Sequence, residues 1–503
     1  MNIQSFLEHH GIVRNPFAEE DAQTDQVFKE HCIANAYHPV WDKVYGDPTE
    51  PSTAMVFGPK GSGKTAMRLQ ILRHLNKFNL ENPARRVFTI AYDDFNPFLD
   101  HFSERMSRRA NRKPERVLKE WKLWDHMDSI LCIGVTKLVD QVLKPDQVDD
   151  GVDRESLAKL DRTAARDLLL LASCYDQSSD GAFVERWNTL RRKLGFGNVA
   201  AKVSCWFAIG WCVLVAIGFL YLMFRGSPEV AEGAEEATKT VWDYLWLAPL
   251  LMLLGSLPYL IRFFKTWWAA VRIRRHMRVG KREIGSVRNV LHSIPAKELA
   301  SQPLPRFDRT DDRYELLNKF QSVIDRLGYK GIIVLMDRVD EPHMTGGKPE
   351  LMRLFVWPLL DNKLLKHPGV GFKLMLPQDL YRDMERESRD FHERARLDKQ
   401  NVIPSFQWTG ESLYDLARAR MIACAAPGKS PEPKDLFADV DYQRLISAFH
   451  SLRVPRHLFR FLYRVLVDHC NRYTDANPEY KIKSETFETV LAVYSREVDS
   501  HTL

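Results

Sequence analysis

The sequence predicts an α/β fold: a parallel sheet, interrupted by a long helical insertion and followed by a helical end domain. Three observations carry that expectation. First, a glycine-rich turn stands between an apolar strand end and a helix at Met55–Thr65, MVFGPKGSGKT. Second, three more β-rich runs, Arg86–Tyr92, Gly331–Met336 and Phe372–Leu376, each end in acidic or polar residues. Strands of a parallel sheet deliver side chains to their carboxyl edge in this way. Third, two long uncharged stretches, Val203–Phe224 and Tyr244–Ile261, fall between the second and third of these strands.

The bulk composition sets the frame. A chain of 503 residues has room for about three domain-sized units. With 45% hydrophobic and 27% charged residues it can bury an ordinary core. The net charge of +6 does not by itself argue for nucleic acid. The 7 cysteines are scattered, with no C-x-x-C, so they read as free thiols in a reducing compartment and argue against a zinc site. The first residues, MNIQSFLEHHGIVRNPF, lack the basic-then-apolar pattern of a signal peptide.

Residues 1–50 form an entry segment: a short helix, Asn15-Pro16-Phe17, an acidic patch and an aromatic-spotted helix through Tyr45. Phe17 and the stretch Val27–Tyr37 are candidates to cover a nucleotide base, with simple core packing as the alternative.

Residues 51–110 hold the first half of the sheet. Gly58-Pro59-Lys60-Gly61-Ser62-Gly63-Lys64-Thr65 fills the pattern G-x-x-x-x-G-K-[ST], and a helix over Ala66–Leu75 follows. Glycines let such a loop, through Ala66, turn its N–H groups onto a phosphate, and the helix adds its positive end. Lys64 is then placed to reach the β- and γ-phosphates of a nucleotide, and the Thr65 hydroxyl to hold Mg²⁺. Arg86–Tyr92 is the second strand, ending in Asp93-Asp94.

Residues 111–202 read as a helical insertion, with helices over 114–143 and 157–172 separated by an acidic turn (Asp146, Asp149, Asp150, Asp153). The turn lacks the Gly and terminal Glu of a calcium loop and reads as solvated. Residues 203–261 then predict a transmembrane hairpin. The run Val203–Phe224 is long enough to cross a bilayer core at about 1.5 Å per residue, and Tyr244–Ile261 sits at the short end of the spanning range.

Trp242, Tyr244, Trp246, Trp267 and Trp268 stand where interfacial belts do. Arg186, Arg191, Arg192, Lys193 and Lys202 precede the first run, and a basic segment, 262–310, follows the second. The loop between, Gly226–Asp243, is acidic. The positive-inside rule therefore places both long soluble parts in the cytoplasm, with the basic rims touching anionic lipid of the bilayer. A nucleic-acid role for the same arginines is the minor reading.

Residues 311–410 complete the sheet. A helix over 311–327 leads into Gly331–Met336, an apolar strand ending in Asp337, the pattern whose carboxylate orders Mg²⁺. Hydrolysis needs a second carboxylate to orient water. Its usual position, directly after Asp337, is Arg338, which leaves Asp340 or Glu341, with Glu341 slightly preferred. In ATPases with an extra strand between these two, the strand tip senses the γ-phosphate, which makes Gln378 the candidate and Asp379 its rival. The arginine-rich stretch Tyr381–Arg396 could supply an arginine finger or be a solvated face. A last strand is expected over 402–408, and helices fill 411–503.

With GPKGSGKT at 58–65, IIVLMDRVDE at 332–341, the hairpin between them and VPRHLFR at 454–460, the chain resembles the KAP family on the AAA+ and STAND side of the P-loop ATPases. That resemblance implies a P-loop NTPase core with a helical insertion carrying two transmembrane helices, and a C-terminal α-helical lid domain. It implies ATP with Mg²⁺ bound by the 58–66 loop, Thr65 and Asp337, and a γ-phosphate contact from Arg456 as the lid's sensor arginine. It also implies a homo-oligomer, an effector or sensor protein as partner, residence in a bacterial inner membrane and a role in defence against phage. Arg338 departs from the family's paired acids, and Leu376-Pro377-Gln378 from its usual sensor tip. The alternatives are a non-hydrolysing ATP-binding scaffold and a DNA- or secretion-related motor.

Overall fold

Strands rich in Val, Ile, Leu and Met with few polar interruptions can be buried on both faces, and the sheet uses them so. A computed structural model of the protein describes residues 1–32, 36–106, 113–147, 151–197, 199–225, 246–300 and 302–502. Strands β1 (Ala54–Gly58), β2 (Arg86–Tyr92), β3 (Tyr329–Met336), β4 (Val370–Pro377) and β5 (Asn401–Ile403) form one sheet in the order β2-β3-β4-β1-β5. Every pairing is parallel. β4 lies between β1 and β3, pairing Met55 with Leu374 on one side and Leu335 with Lys373 on the other. The carboxyl ends of β1 and β3, which carry the glycine-rich loop and Asp337, thus open on the same edge.

The last strand is shorter than expected. It ends at Ile403, and Pro404, which has no N–H to give, interrupts the ladder. The chain still runs beside β1, where Phe406 N–H donates to Phe57 O at 2.7 Å.

The chain divides into two compact units, Met1–Pro97 with Arg108–Trp121 and Tyr329–Leu503, and Phe98–Ser107 with Lys122–Gly328. The helix expected over 114–143 is two helices, Pro114–Glu120 and Leu123–Leu143. Trp121 between them is extended, and the unit boundary falls there.

In the first unit the entry segment is not separate. Phe6, Leu7, Ile12 and Phe17 share one apolar core with the C-terminal helices Gly410–Ala423, Tyr442–Leu452, Pro455–Arg472 and Ser484–Thr502. The helices Tyr442–Leu452 and Pro455–Arg472 are parted at Arg453, whose φ of 62° lies in the left-handed region, and Pro455 opens the second of them in its first turn.

The second unit is helical. Two groups of its buried charges are matched inside it: Asp128 meets Arg313 at 3.0 Å with both side chains fully buried, and Tyr175 donates to Asp128 at 2.8 Å. Arg186 bridges Asp140 and Asp176 at 2.8 and 3.2 Å.

The same unit carries the apolar helices. Among the described residues one helix, Leu247–His276, is long and apolar enough to cross a membrane by length and composition, and none of its apolar window is buried. It runs through Pro258 and on into the arginines 272, 274 and 275, so the basic segment begins as a continuation of this helix rather than after it. The first expected span lies in the helix Val199–Arg225, where the described apolar stretch, Cys205–Tyr221, is shorter than a span requires. The expected pair of spans is therefore supported at one helix only. The acidic loop Gly226–Asp243, with Trp242 and Tyr244, lies outside the described residues, as do Asp149 and Asp150.

Candidate functional site

The site is built where β1 ends. Gly61 and Gly63 hold φ of 85° and 95°, a conformation that costs a side-chain-bearing residue energy. A Cβ on Gly61 would also come within 2.7 Å of Arg456 Cβ. The helix Lys64–Glu81 starts directly at Gly63, with no side chain capping its first turn. Its first N–H groups are left to the cleft.

Two contacts fasten this loop from the far end of the sequence. Trp408 Nε1–H donates to Ser62 O at 2.8 Å, and Arg456 N–H donates to Gly61 O at 3.3 Å. The helix that opens at Pro455 is thereby tied to the loop by its own first turn.

Lys64 Nζ donates to the carbonyls of Gly58 and Pro59 at 2.7 and 2.9 Å. Burial pulls its pKa down to about 8, against the opposing pull of Asp337 and Asp340. Asp337 is buried, and burial raises its pKa, opposed first by a hydrogen bond from the Thr65 hydroxyl and then by Arg68. Arg68 Nε stands 3.5 Å from Asp337 Oδ2, an ion pair without a hydrogen bond, and the other end of the guanidinium pairs with Asp93. Asp337 Oδ2 and Ser62 Oγ are both buried without a hydrogen-bond partner.

Beyond Asp337 the backbone turns through Arg338 at φ 62°, unusual for a residue with a long side chain. Arg338, Asp340 and Glu341 all line the cleft. Arg338 Nη1 sits 3.4 Å from Glu341 Oε2, and Arg338 Nε is buried without a partner. The Glu341 pKa is raised, by burial first, with Arg338 pulling the other way.

The structure brings together most of the residues singled out in the sequence. Lys60, Gly61, Gly63, Lys64, Thr65, Ala66, Asp337, Asp340, Glu341 and Arg456 line one cleft. Gly58, Pro59 and Ser62 shape the loop behind it. Gln378 is not in the lining: its amide donates to Pro404 O at 2.8 Å, and its neighbour Pro377 faces the cleft instead. Phe17 is core, stacked on Phe459 with ring centroids 6.3 Å apart. From Val27–Tyr37, Phe28 and Ala36 line the cleft, with Leu416 and Phe459 contributing to the same lining. Residues 33–35 lie outside the described residues.

Sequence reasoning missed Arg68, Trp408 and the buried pair Asp25–Arg420. Arg68 was within reach, since it stands four residues after Lys64 and so on the same helix face. Trp408 and Arg420 carry no motif, because their roles depend on the chain returning to the loop from far downstream.

The donor set fits a Mg²⁺-bound polyphosphate. The loop glycines leave room that a Cβ would fill, the helix end is uncapped, and a hydroxyl and an incompletely bonded carboxylate stand beside the lysine. The fold and site together define an α/β protein with a five-stranded parallel sheet and a charged cleft at its carboxyl edge. No family model, curated protein or solved structure matches the chain.

Proposed function

We propose that the protein is a membrane-anchored, Mg²⁺-ATP-dependent P-loop ATPase or nucleotide switch of the KAP type, working as an oligomer. The observation that carries the nucleotide reading is the convergence of Lys64, Thr65 and Asp337, with the Thr65 hydroxyl on the Asp337 carboxylate. In this reading the 58–66 loop cradles the phosphates and Lys64 leaves the Gly58 and Pro59 carbonyls for them. Thr65 and Asp337 hold Mg²⁺, which neutralises phosphate charge. Arg456, fixed to the loop at Gly61, answers to the γ-phosphate and couples the C-terminal helices to it. Phe28, Ala36, Leu416 and Phe459 offer an apolar seat for the base.

Membrane anchoring is supported by the uncovered apolar helix Leu247–His276 and its fit to Val199–Arg225. Trp211 Nε1–H donates to Leu251 O at 2.9 Å, and only a glycine at 255 leaves room for that ring. The hairpin topology, cytoplasmic soluble parts and a defence role follow from the sequence and the resemblance.

A second reading, a switch that binds ATP and turns it over slowly or not at all, is favoured by Arg338. It puts a cation at the usual place of the second acid and pairs with Glu341, the carboxylate preferred for orienting water.

Full-length protein in detergent, assayed for ATP binding and turnover with Lys64→Ala as control, separates the two. Turnover abolished by the substitution supports the ATPase, and tight binding without turnover supports the switch. Absence of ATP binding to the wild type would overturn both.

A further inference from the structure

The second unit contains an apolar groove that the nucleotide reading does not use. One wall is the helix Leu247–His276 from Leu257 onward, where Leu257, Ile261, Lys265, Trp268 and Arg272 follow at three- and four-residue steps and so share a face. Leu299 and Arg306 complete the lining from beyond this helix.

The charge in this groove is one-sided. The described lining residues include Arg262, Lys265, Arg272 and Arg306 and no carboxylate. Arg262 is accounted for, donating to the carbonyls of His292 and Ile294, the latter at 2.9 Å. Arg306 is not: its Nε is buried without a hydrogen bond. Burial and the neighbouring Arg272 hold its pKa below the usual arginine value, with Asp312 offsetting part of that. Two guanidinium groups lining one groove beside an apolar wall are complementary to a ligand with an anionic head and a hydrocarbon body. Trp267 and Trp268, both exposed, stand on the same stretch of helix, as aromatic side chains do at a headgroup boundary.

We propose that this groove binds an anionic diacyl phospholipid, its phosphate between Arg272 and Arg306 and its acyl chains along Leu257, Ile261 and Trp268. Lys265 reaches the same headgroup by extending its stem along the apolar wall. The proposal rests on the membrane reading above and adds a specific lipid class and site to it.

The test uses full-length protein extracted in detergent micelles containing equal phosphatidylglycerol and phosphatidylcholine, with retained lipid counted by native mass spectrometry. Wild type is expected to retain phosphatidylglycerol about tenfold over phosphatidylcholine. Arg272→Gln and Arg306→Gln are each expected to lose that preference, while Arg272→Lys keeps most of it. Arg274→Gln, on the opposite side of the helix, is expected to keep it fully, and an unchanged thermal unfolding transition of each variant reports that the chain is folded. Equal retention of the two lipids, or a preference untouched by both glutamine variants, would overturn the proposal and leave membrane anchoring standing. A wild-type chain that stays monodisperse without detergent and carries no lipid would overturn both. Exclusion of lipid by a two-copy assembly would assign the groove to a second copy and overturn the proposal alone.

Discussion

Two sets of buried charge, one in each unit, are handled in opposite ways. In the helical unit, Asp128, Arg313 and Tyr175 form a closed set, as do Arg186, Asp140 and Asp176. None of these side chains has a buried polar atom left without a partner. In the sheet unit, Lys64, Arg68, Asp337 and Arg338 are also buried or half-buried, but Arg68 Nε, Asp337 Oδ2, Arg338 Nε and the adjoining Ser62 Oγ make no hydrogen bond. A buried polar atom without a partner costs roughly 1–3 kcal/mol, more for a charged group, so several at one place need a reason. The comparison teaches that matched burial holds helices together, whereas mismatched burial beside a cleft marks where a ligand completes the bonding.

The largest effect should come from opening the closed set. Arg313→Ala leaves Asp128 buried and uncompensated, and should cost about 3–5 kcal/mol of stability, read as an early unfolding transition by calorimetry. The paired replacement Asp128→Leu with Arg313→Leu should restore much of that loss, because it removes both charges. If Arg313→Ala melts like wild type, the network is not structural.

At the cleft the balance should reverse. Lys64→Ala should leave the melting temperature within a few degrees of wild type yet weaken ATP binding by about 100-fold or more, measured by calorimetric titration. A comparable loss of stability and no loss of binding would erase the distinction between the two regions.

The pH dependence sharpens the same point. Lys64 titrates near 8 in the free protein, and phosphate binding favours its charged form. Binding therefore takes up a proton above that pH, and affinity should fall by up to about tenfold per unit as pH rises past 8. An ordinary exposed lysine would delay the fall by about two units, and a flat profile between pH 8 and 10 would contradict the placement of Lys64. For stability the sign is opposite. The unfolded chain holds this proton more tightly than the folded one, so the Lys64 contribution improves as pH rises from about 8 towards its unfolded value.

Arg338→Asp should have the smallest effect on fold and an informative one on turnover. It supplies the second acid and puts a residue that tolerates positive φ at 62°. Turnover should rise roughly tenfold if Arg338 restrains hydrolysis. No change in turnover would mean that Arg338 and its pairing with Glu341 do not govern the reaction.

Much of the sheet was legible in the sequence because a buried parallel strand leaves a continuous apolar run, and Met55–Gly58, Arg86–Tyr92 and Gly331–Met336 are such runs. Lys64, Thr65 and Asp337 were legible because a phosphate loop and a strand-end carboxylate impose local patterns. Trp408 against the loop, the entry segment in the C-terminal core and the strained Arg338 were not, because each depends on segments meeting from distant parts of the chain or on a backbone angle. Gln378 was misplaced for a related reason. The tip of β4 is legible, but whether its side chain turns to the cleft or to Pro404 is decided by the irregular chain after β5. The break at Trp121 leaves no glycine or proline to announce it.

If Asp337 and Thr65 form the metal side of a nucleotide site, Mg²⁺ must act on ATP binding through them. The most direct test is ATP affinity of the full-length protein with and without Mg²⁺, in wild type and in Asp337→Asn. Mg²⁺ should strengthen ATP binding by the wild type about tenfold or more and leave binding by Asp337→Asn unchanged. An equal Mg²⁺ response in the two proteins would contradict it.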